Sequence, residues 1–133
     1  MQYDEFVGRV QNRARLASGG ETVRAIHATL QTLGERLFGK EAEHLAAQLP
    51  PEIGAYLHQA EAKESFSLDE FFERVAKREG VDLPDAIHQA RAVVSVLSEA
   101  VSPGEMADAR AQLPDEYDPL FESGSEGEID TPS

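Results

Sequence analysis

The sequence has 133 residues, of which 25 are aspartate or glutamate and 12 are lysine or arginine, so its net charge at pH 7 is −13. A surface this acidic repels nucleic-acid phosphates and anionic lipids, so we expect neither nucleic acid nor membrane as a partner. Cysteine is absent, which excludes disulfides, thiolate metal sites and a cysteine nucleophile.

The acidic residues are unevenly distributed, and lysine is scarce. Residues 1–64 carry a net charge of −2 and residues 65–133 carry −11, while only three of the basic residues are lysines. At molar salt the Debye length falls to about 3 Å, which screens the repulsion between carboxylates. The composition therefore fits both a protein adapted to a salty cytoplasm and an ordinary acidic protein. No apolar run approaches the roughly 18 residues of a membrane span, and a cytoplasmic location is expected.

The first two predicted helices each carry one apolar stripe. Residues 3–13 place Phe6 and Val10 on one helix face. A second helix begins after Ser18, whose spacing to Glu21 is that of a capping box. The apolar positions of this second helix step by three and four: Val23, Ile26, Leu30, Leu33 and Leu37.

Gly39 is predicted to end the second helix, and two shorter helices follow it. Their apolar residues are Ala42, Leu45 and Leu49 in the third helix, and Ile53, Tyr56 and Leu57 in the fourth. The phrase "AAQLPPE" between them is interpreted as a joint rather than a polar site. Leu49 anchors the third helix in the core, and Glu52 lies in the first turn of the fourth, where the helix dipole favours a carboxylate.

Residues 58–66 form a predicted linker, after which the same pattern of four helices returns. The apolar residues of the second set are Phe71, Phe72 and Val75; Ile87, Ala90, Val94, Leu97 and Val101; Met106, Ala109 and Leu113; and Tyr117, Leu120 and Phe121. Ser67, Asp82 and Ser102 are the predicted caps of its first three helices. The pair at 103–104, proline and glycine, is predicted to end the second helix of this set.

The two sets of helices repeat each other in sequence. "YDEFVGRVQNR" at 3–13 aligns with "LDEFFERVAKR" at 68–78 at a spacing of 65, and from Ser18 onwards the spacing is 64. Fifteen aligned positions are identical. Such self-similarity is typical of an internal duplication. The copies differ in their last helix, where Asp118 and Pro119 are predicted to restart it as cap and first residue.

The duplication predicts an all-α fold with two tandem four-helix repeats. The repeats span 2–57 and 67–122 and are expected to pack as one compact helical-bundle domain over 1–122, with pseudo-two-fold symmetry. Each repeat alone is too short to bury a large core, so a shared core is expected. Residues 123–133 are rich in acid, glycine and serine and are predicted to be a disordered acidic tail.

With both repeats in view, the chain resembles the prokaryotic family catalogued as domain of unknown function 2267. The residues that carry the resemblance are "YDEFVGRV" with "LDEFFERV" and "GKEAEHLAAQLPPE" with "PGEMADARAQLPDE". The resemblance covers nearly everything from residue 2 to residue 122. It implies a small all-helical protein and supplies no reaction, cofactor or catalytic residue.

One candidate metal site follows from the phrase "EAEH". Glu41 and His44 are three residues apart, a spacing that di-iron helical bundles use for ligands. The aligned positions of the second repeat are Glu105 and Asp108, so one histidine of that pattern is missing. The alternative is that these residues are ordinary charged pairs on helix surfaces.

The leading functional hypothesis is a non-enzymatic protein-interaction or scaffold module that works through a protein partner or self-association. No catalytic constellation is recognisable, and no cofactor is expected. The aromatic residues near the fourth helices, Tyr56, Tyr117 and Phe121, are candidates for a contact surface or for core. The alternative is a metal-binding protein or hydrolase that uses the carboxylate and histidine site between the repeats.

Overall fold

The computed structural model describes residues 1–59 and 62–122, and the predicted tail lies outside the described residues. All regular elements of the described residues are helices, and none is a strand. The elements are α1 (Tyr3–Ala14), α2 (Gly19–Arg36), α3 (Glu41–Ala47), α4 (Pro51–His58), α5 (Leu68–Glu79), α6 (Leu83–Ala100), α7 (Pro103–Ala111), a short 3₁₀ helix (Asp115–Tyr117) and α8 (Asp118–Phe121). The all-α prediction is therefore confirmed.

Side-chain caps begin four of these helices where the sequence predicts them. Ser18, Ser67, Asp82 and Ser102 each accept a hydrogen bond from the backbone N–H three residues later, at 3.1–3.3 Å. Each bond satisfies an N–H that the first turn of a helix leaves without an intrahelical partner. These caps set the starts of α2, α5, α6 and α7.

The prediction that the pair at 103–104 ends α6 is wrong. The helix ends at Ala100, and Pro103 is the first residue of α7. Proline suits this position because its missing N–H would lack an intrahelical acceptor there. In the first half, α2 already ends at Arg36, and Gly39 lies in the following loop with a φ of 66°.

The fourth helix differs between the two halves. α4 is continuous, whereas the aligned segment is a 3₁₀ helix followed by α8. α8 begins at Asp118 with Pro119 in its first turn, as predicted. The cap role predicted for Asp118 is wrong, because its carboxylate accepts a hydrogen bond from Arg110 at 3.0 Å instead.

Most residues of the predicted apolar stripes form one buried core, but Val23 of α2 is partly exposed and lies outside it, while its neighbour Thr22 is buried. α2 packs against α1, α4, α5 and α6, and α6 packs against α1, α2, α5 and α8, so these two long helices are the centre of the fold. Leu49 and Leu113, the predicted anchors of α3 and α7, are both buried in this core. Tyr117 is also fully buried and donates its hydroxyl hydrogen to the Phe66 carbonyl at 2.7 Å.

Two glycines allow α4 to lie close to its neighbours. A Cβ atom at Gly34 of α2 would overlap the backbone carbonyl oxygen of Leu57. At Gly54 of α4, a Cβ atom would come within 2.9 Å of the carbonyl oxygen of Ala46. Since backbone atoms cannot move aside as a flexible side chain can, these contacts require glycine.

Across residues 1–59 and 62–122, no helix combines the length and the apolar character needed to cross a membrane.

Candidate metal-binding site

The contact between α3 and α7 brings together three of the four residues proposed as metal ligands. Glu41 opens α3 and His44 follows it by three residues, so both side chains lie on one helix face. Glu105 lies in the first turn of α7, held there by the Ser102 cap. One ligand atom from each of Glu41, His44 and Glu105 lies within 4.8 Å of the other two.

The two carboxylates of this site are incompletely satisfied. Oε1 of Glu41 and Oε1 of Glu105 are buried, and within the described residues neither accepts a hydrogen bond. Nδ1 of His44 lies 3.8 Å from Oε1 of Glu105, which is too long for a hydrogen bond. A buried acceptor that is left unpaired costs about 1–3 kcal/mol, and more when it is charged. A cation between the carboxylates would remove this cost.

The fourth proposed ligand, Asp108, is exposed and lies outside this group of ligand atoms. The four-ligand arrangement of a di-iron bundle is therefore not assembled by these residues. The other histidines have different neighbours: His27 stacks on Tyr56 with ring centroids 4.4 Å apart, and Nε2 of His88 lies 3.2 Å from the Ala14 carbonyl oxygen.

One imidazole nitrogen and two carboxylate oxygens are donor atoms of the kinds that zinc takes. Zinc takes histidine nitrogen and carboxylate oxygen at about 2.0–2.2 Å, and tetrahedral ligands at that distance lie about 3.3 Å apart. The three ligand atoms lie within 4.8 Å of one another, so they would have to move closer together to reach this spacing, and the side chain of His44 is 50% exposed.

Two sets of ion pairs join the first half of the chain to the second, one between α2 and α5 and the other between α6 and α1. Glu35 of α2 accepts hydrogen bonds from Arg74 and Arg78 of α5. Glu99 of α6 accepts hydrogen bonds from Arg9 and Arg13 of α1. Every one of these six residues is identical to its aligned partner in the other half.

Two glutamines exchange hydrogen bonds between the halves in the same manner. The backbone N–H of Ser102 donates to Oε1 of Gln48 at 2.6 Å, and the backbone N–H of Phe38 donates to Oε1 of Gln112 at 2.9 Å. Gln48 and Gln112 are aligned at the spacing of 64, as are Phe38 and Ser102. The recurrence of Glu35, Gln48 and the arginines was the sequence signal for these contacts, although it did not reveal which residues they bind.

A comparison with protein-family models finds a match over most of the chain. The family described as an uncharacterized conserved protein (DUF2267) matches residues 3–120. A search of curated proteins gives no match.

Proposed function

The chain belongs to the DUF2267 family, whose description assigns no activity, and we propose from its geometry that it is a non-enzymatic helical module that binds one divalent metal ion, zinc above all, between α3 and α7. The observation that carries this proposal is the pair of buried oxygens, Oε1 of Glu41 and Oε1 of Glu105, which lack a hydrogen bond within the described residues and lie beside His44. The ion would join the two halves, because Glu41 and His44 come from the first and Glu105 from the second.

The charge of the protein favours cation binding at this position. The chain carries a net charge of −13, so its field attracts cations. A site made of one imidazole and two carboxylates matches zinc better than magnesium or calcium, which prefer oxygen ligands alone. We assign no reaction to the site.

Calorimetric titration of the full-length protein with Zn²⁺ tests the proposal. We expect one site per chain, and we expect Glu105→Gln to weaken binding by more than about 100-fold, since even loss of a residue that supports a metal ligand costs about 10–100-fold. Glu43→Gln is the matched control, because Glu43 is exposed on α3 and changes the net charge equally. Absence of binding, or equal loss in both variants, would refute the site.

The contacts between helices support a proposal about the architecture, namely two four-helix repeats related by a pseudo-two-fold axis. Packing of α1 on α6 corresponds to packing of α5 on α2, and α2 on α4 corresponds to α6 on α8. The ion pairs of Glu35 and Glu99 correspond to each other in the same way when the two halves are interchanged, and so do the hydrogen bonds of the two glutamines. Such an axis would pass between α3 and α7, close to the metal site.

A protein-interaction or scaffold role is the second candidate function, with a protein partner or a second copy of the chain as the ligand. Its support is the exposure of two large apolar side chains, Phe38 and Leu83. Tyr117 does not support it, because that side chain belongs to the core. Light scattering of wild type and of a Phe38→Ser, Leu83→Ser double variant tests self-association. A wild-type protein that stays monomeric at high concentration contradicts self-association.

A further inference from the structure

A carboxyl group is buried at the junction of three helices in the second half of the chain. Glu79 is the last residue of α5 and is only 6% exposed. Its neighbour on α6 is Gln89, which is 7% exposed. When the Gln89 amide nitrogen faces Glu79, it donates hydrogen bonds to both carboxylate oxygens, with 2.8 Å to Oε1. Glu79 is therefore paired with a neutral amide.

The charges around Glu79 disfavour its ionised form. Glu21 and Arg24 of α2 and Asp85 of α6 are near enough to act on it electrostatically, which makes two anions and one cation. The C-terminal end of α5 adds the negative end of a helix dipole. Burial raises the pKa of Glu79 to about 7, the attraction of Arg24 opposes that rise, and the repulsion from Asp85 and Glu21 adds to it.

In the first half of the chain, the two positions that align with Glu79 and Gln89 are occupied by apolar side chains. Ala14 aligns with Glu79 at the spacing of 65, and Ala25 aligns with Gln89 at the spacing of 64. Both alanines are buried. The fold therefore accommodates two alanines at these positions and does not require the pair of Glu79 and Gln89.

We propose that Glu79 and Gln89 form a proton-controlled element that loosens the junction of α5, α6 and α2 when the proton leaves. In the protonated state, Glu79 donates its hydroxyl hydrogen to the Gln89 carbonyl, and the pair is neutral. When Glu79 releases its proton to solvent, the Gln89 amide turns to donate, and a buried negative charge remains beside Glu21 and Asp85. A buried charge of this kind destabilises the packed state.

The sign of the effect follows from the two states of the chain. In the unfolded chain Glu79 has an ordinary pKa near 4.3, below its folded value. The folded state therefore binds the proton more tightly. The contribution of Glu79 to the stability of the fold is therefore largest at low pH and falls as pH rises from the unfolded pKa to the folded pKa, above which that contribution is lost.

A ¹³C NMR titration of the full-length protein, observed at the glutamate side-chain carboxyl carbons, tests this proposal. The signal that disappears in Glu79→Gln is expected to titrate near pH 7. The melting temperature of wild type should fall from pH 5 to pH 8 by several degrees more than that of Glu79→Gln. Glu73→Gln is the control, since Glu73 is exposed on the same helix.

Two outcomes would overturn the proposal. Titration of Glu79 in the ordinary carboxyl range would show that its burial does not hold the proton. Identical pH profiles of wild type and Glu79→Gln would show that the proton does not control the junction. If Glu79→Gln does not fold, the double variant Glu79→Ala with Gln89→Ala, which copies Ala14 and Ala25, replaces it in both measurements.

Discussion

The aligned glutamates Glu35 and Glu99 provide a matched pair for measuring what the contacts between the halves contribute. Glu35 has a side chain that is 14% exposed, whereas that of Glu99 is 38% exposed. Glu35 holds two arginines, with Nη1 of Arg74 at 3.0 Å and Nη2 of Arg78 at 2.5 Å. Burial acts to raise the pKa of Glu35, but hydrogen bonds from Arg78 and Arg74 outweigh it, so the pKa is lowered.

Replacement by glutamine keeps the shape of each side chain and removes its charge. We expect Glu35→Gln to cost about 2 kcal/mol of unfolding free energy, the range for a partly buried hydrogen bond to a charged group. For Glu99→Gln we expect about 0.5 kcal/mol, because exposed ion pairs contribute little. The contribution of Glu35 is complete at neutral pH and is lost as pH falls through its lowered pKa.

Urea unfolding of the two variants at pH 7 measures this difference. Both variants change the net charge equally, so general charge effects cancel between them. A repeat at 1 M NaCl should reduce the cost of Glu99→Gln more than that of Glu35→Gln, since exposed charges are screened first. Equal costs for the two variants, or a larger cost for Glu99→Gln, would refute the link between burial and stabilisation.

Three further predictions concern the core and the surface. Leu49→Ala and Leu113→Ala should each destabilise the fold by about 2–5 kcal/mol in urea unfolding, because both leucines are buried, and a cost near zero would deny them an anchoring role. Gly34→Ala should cost about 1–3 kcal/mol, since its Cβ would overlap the Leu57 carbonyl oxygen, whereas a neutral effect would mean that α4 moves away freely. The melting temperature of wild type should rise between dilute buffer and molar salt as repulsion is screened, and a constant value would contradict adaptation to salt.

Local patterns predicted the helices well because each signal acts over a few residues. The serine and aspartate caps needed only the spacing to an N–H three residues later, and the apolar stripes needed only the helical period. The same local reasoning failed at residues 100–104, where proline suits either the end of one helix or the start of the next. It also assigned Asp118 as a helix cap, because the hydrogen bond between Arg110 and the Asp118 carboxylate becomes visible only in the folded structure.

Contacts between the halves lay beyond local reasoning. The repeated pattern identified Glu35, Arg74 and Arg78 as recurrent, but only the packing of α2 on α5 shows that they bind each other. No sequence pattern indicated that Glu79 is buried, since a glutamate at a helix end is ordinarily solvated. Within the candidate metal site, the spacing predicted that Glu41 and His44 share a face, while the approach of Glu105 depends on the contact between α3 and α7.

Anomalous X-ray scattering at the zinc absorption edge, from a crystal of the full-length protein grown with Zn²⁺, tests the central claim most directly. We predict one strong peak between α3 and α7, about 2.0–2.2 Å from atoms of Glu41, His44 and Glu105. A crystal of Glu105→Gln grown in the same way should lose that peak. Zinc found only elsewhere on the surface, or no peak at all in the wild-type crystal, would contradict the proposal that a metal ion joins the two halves.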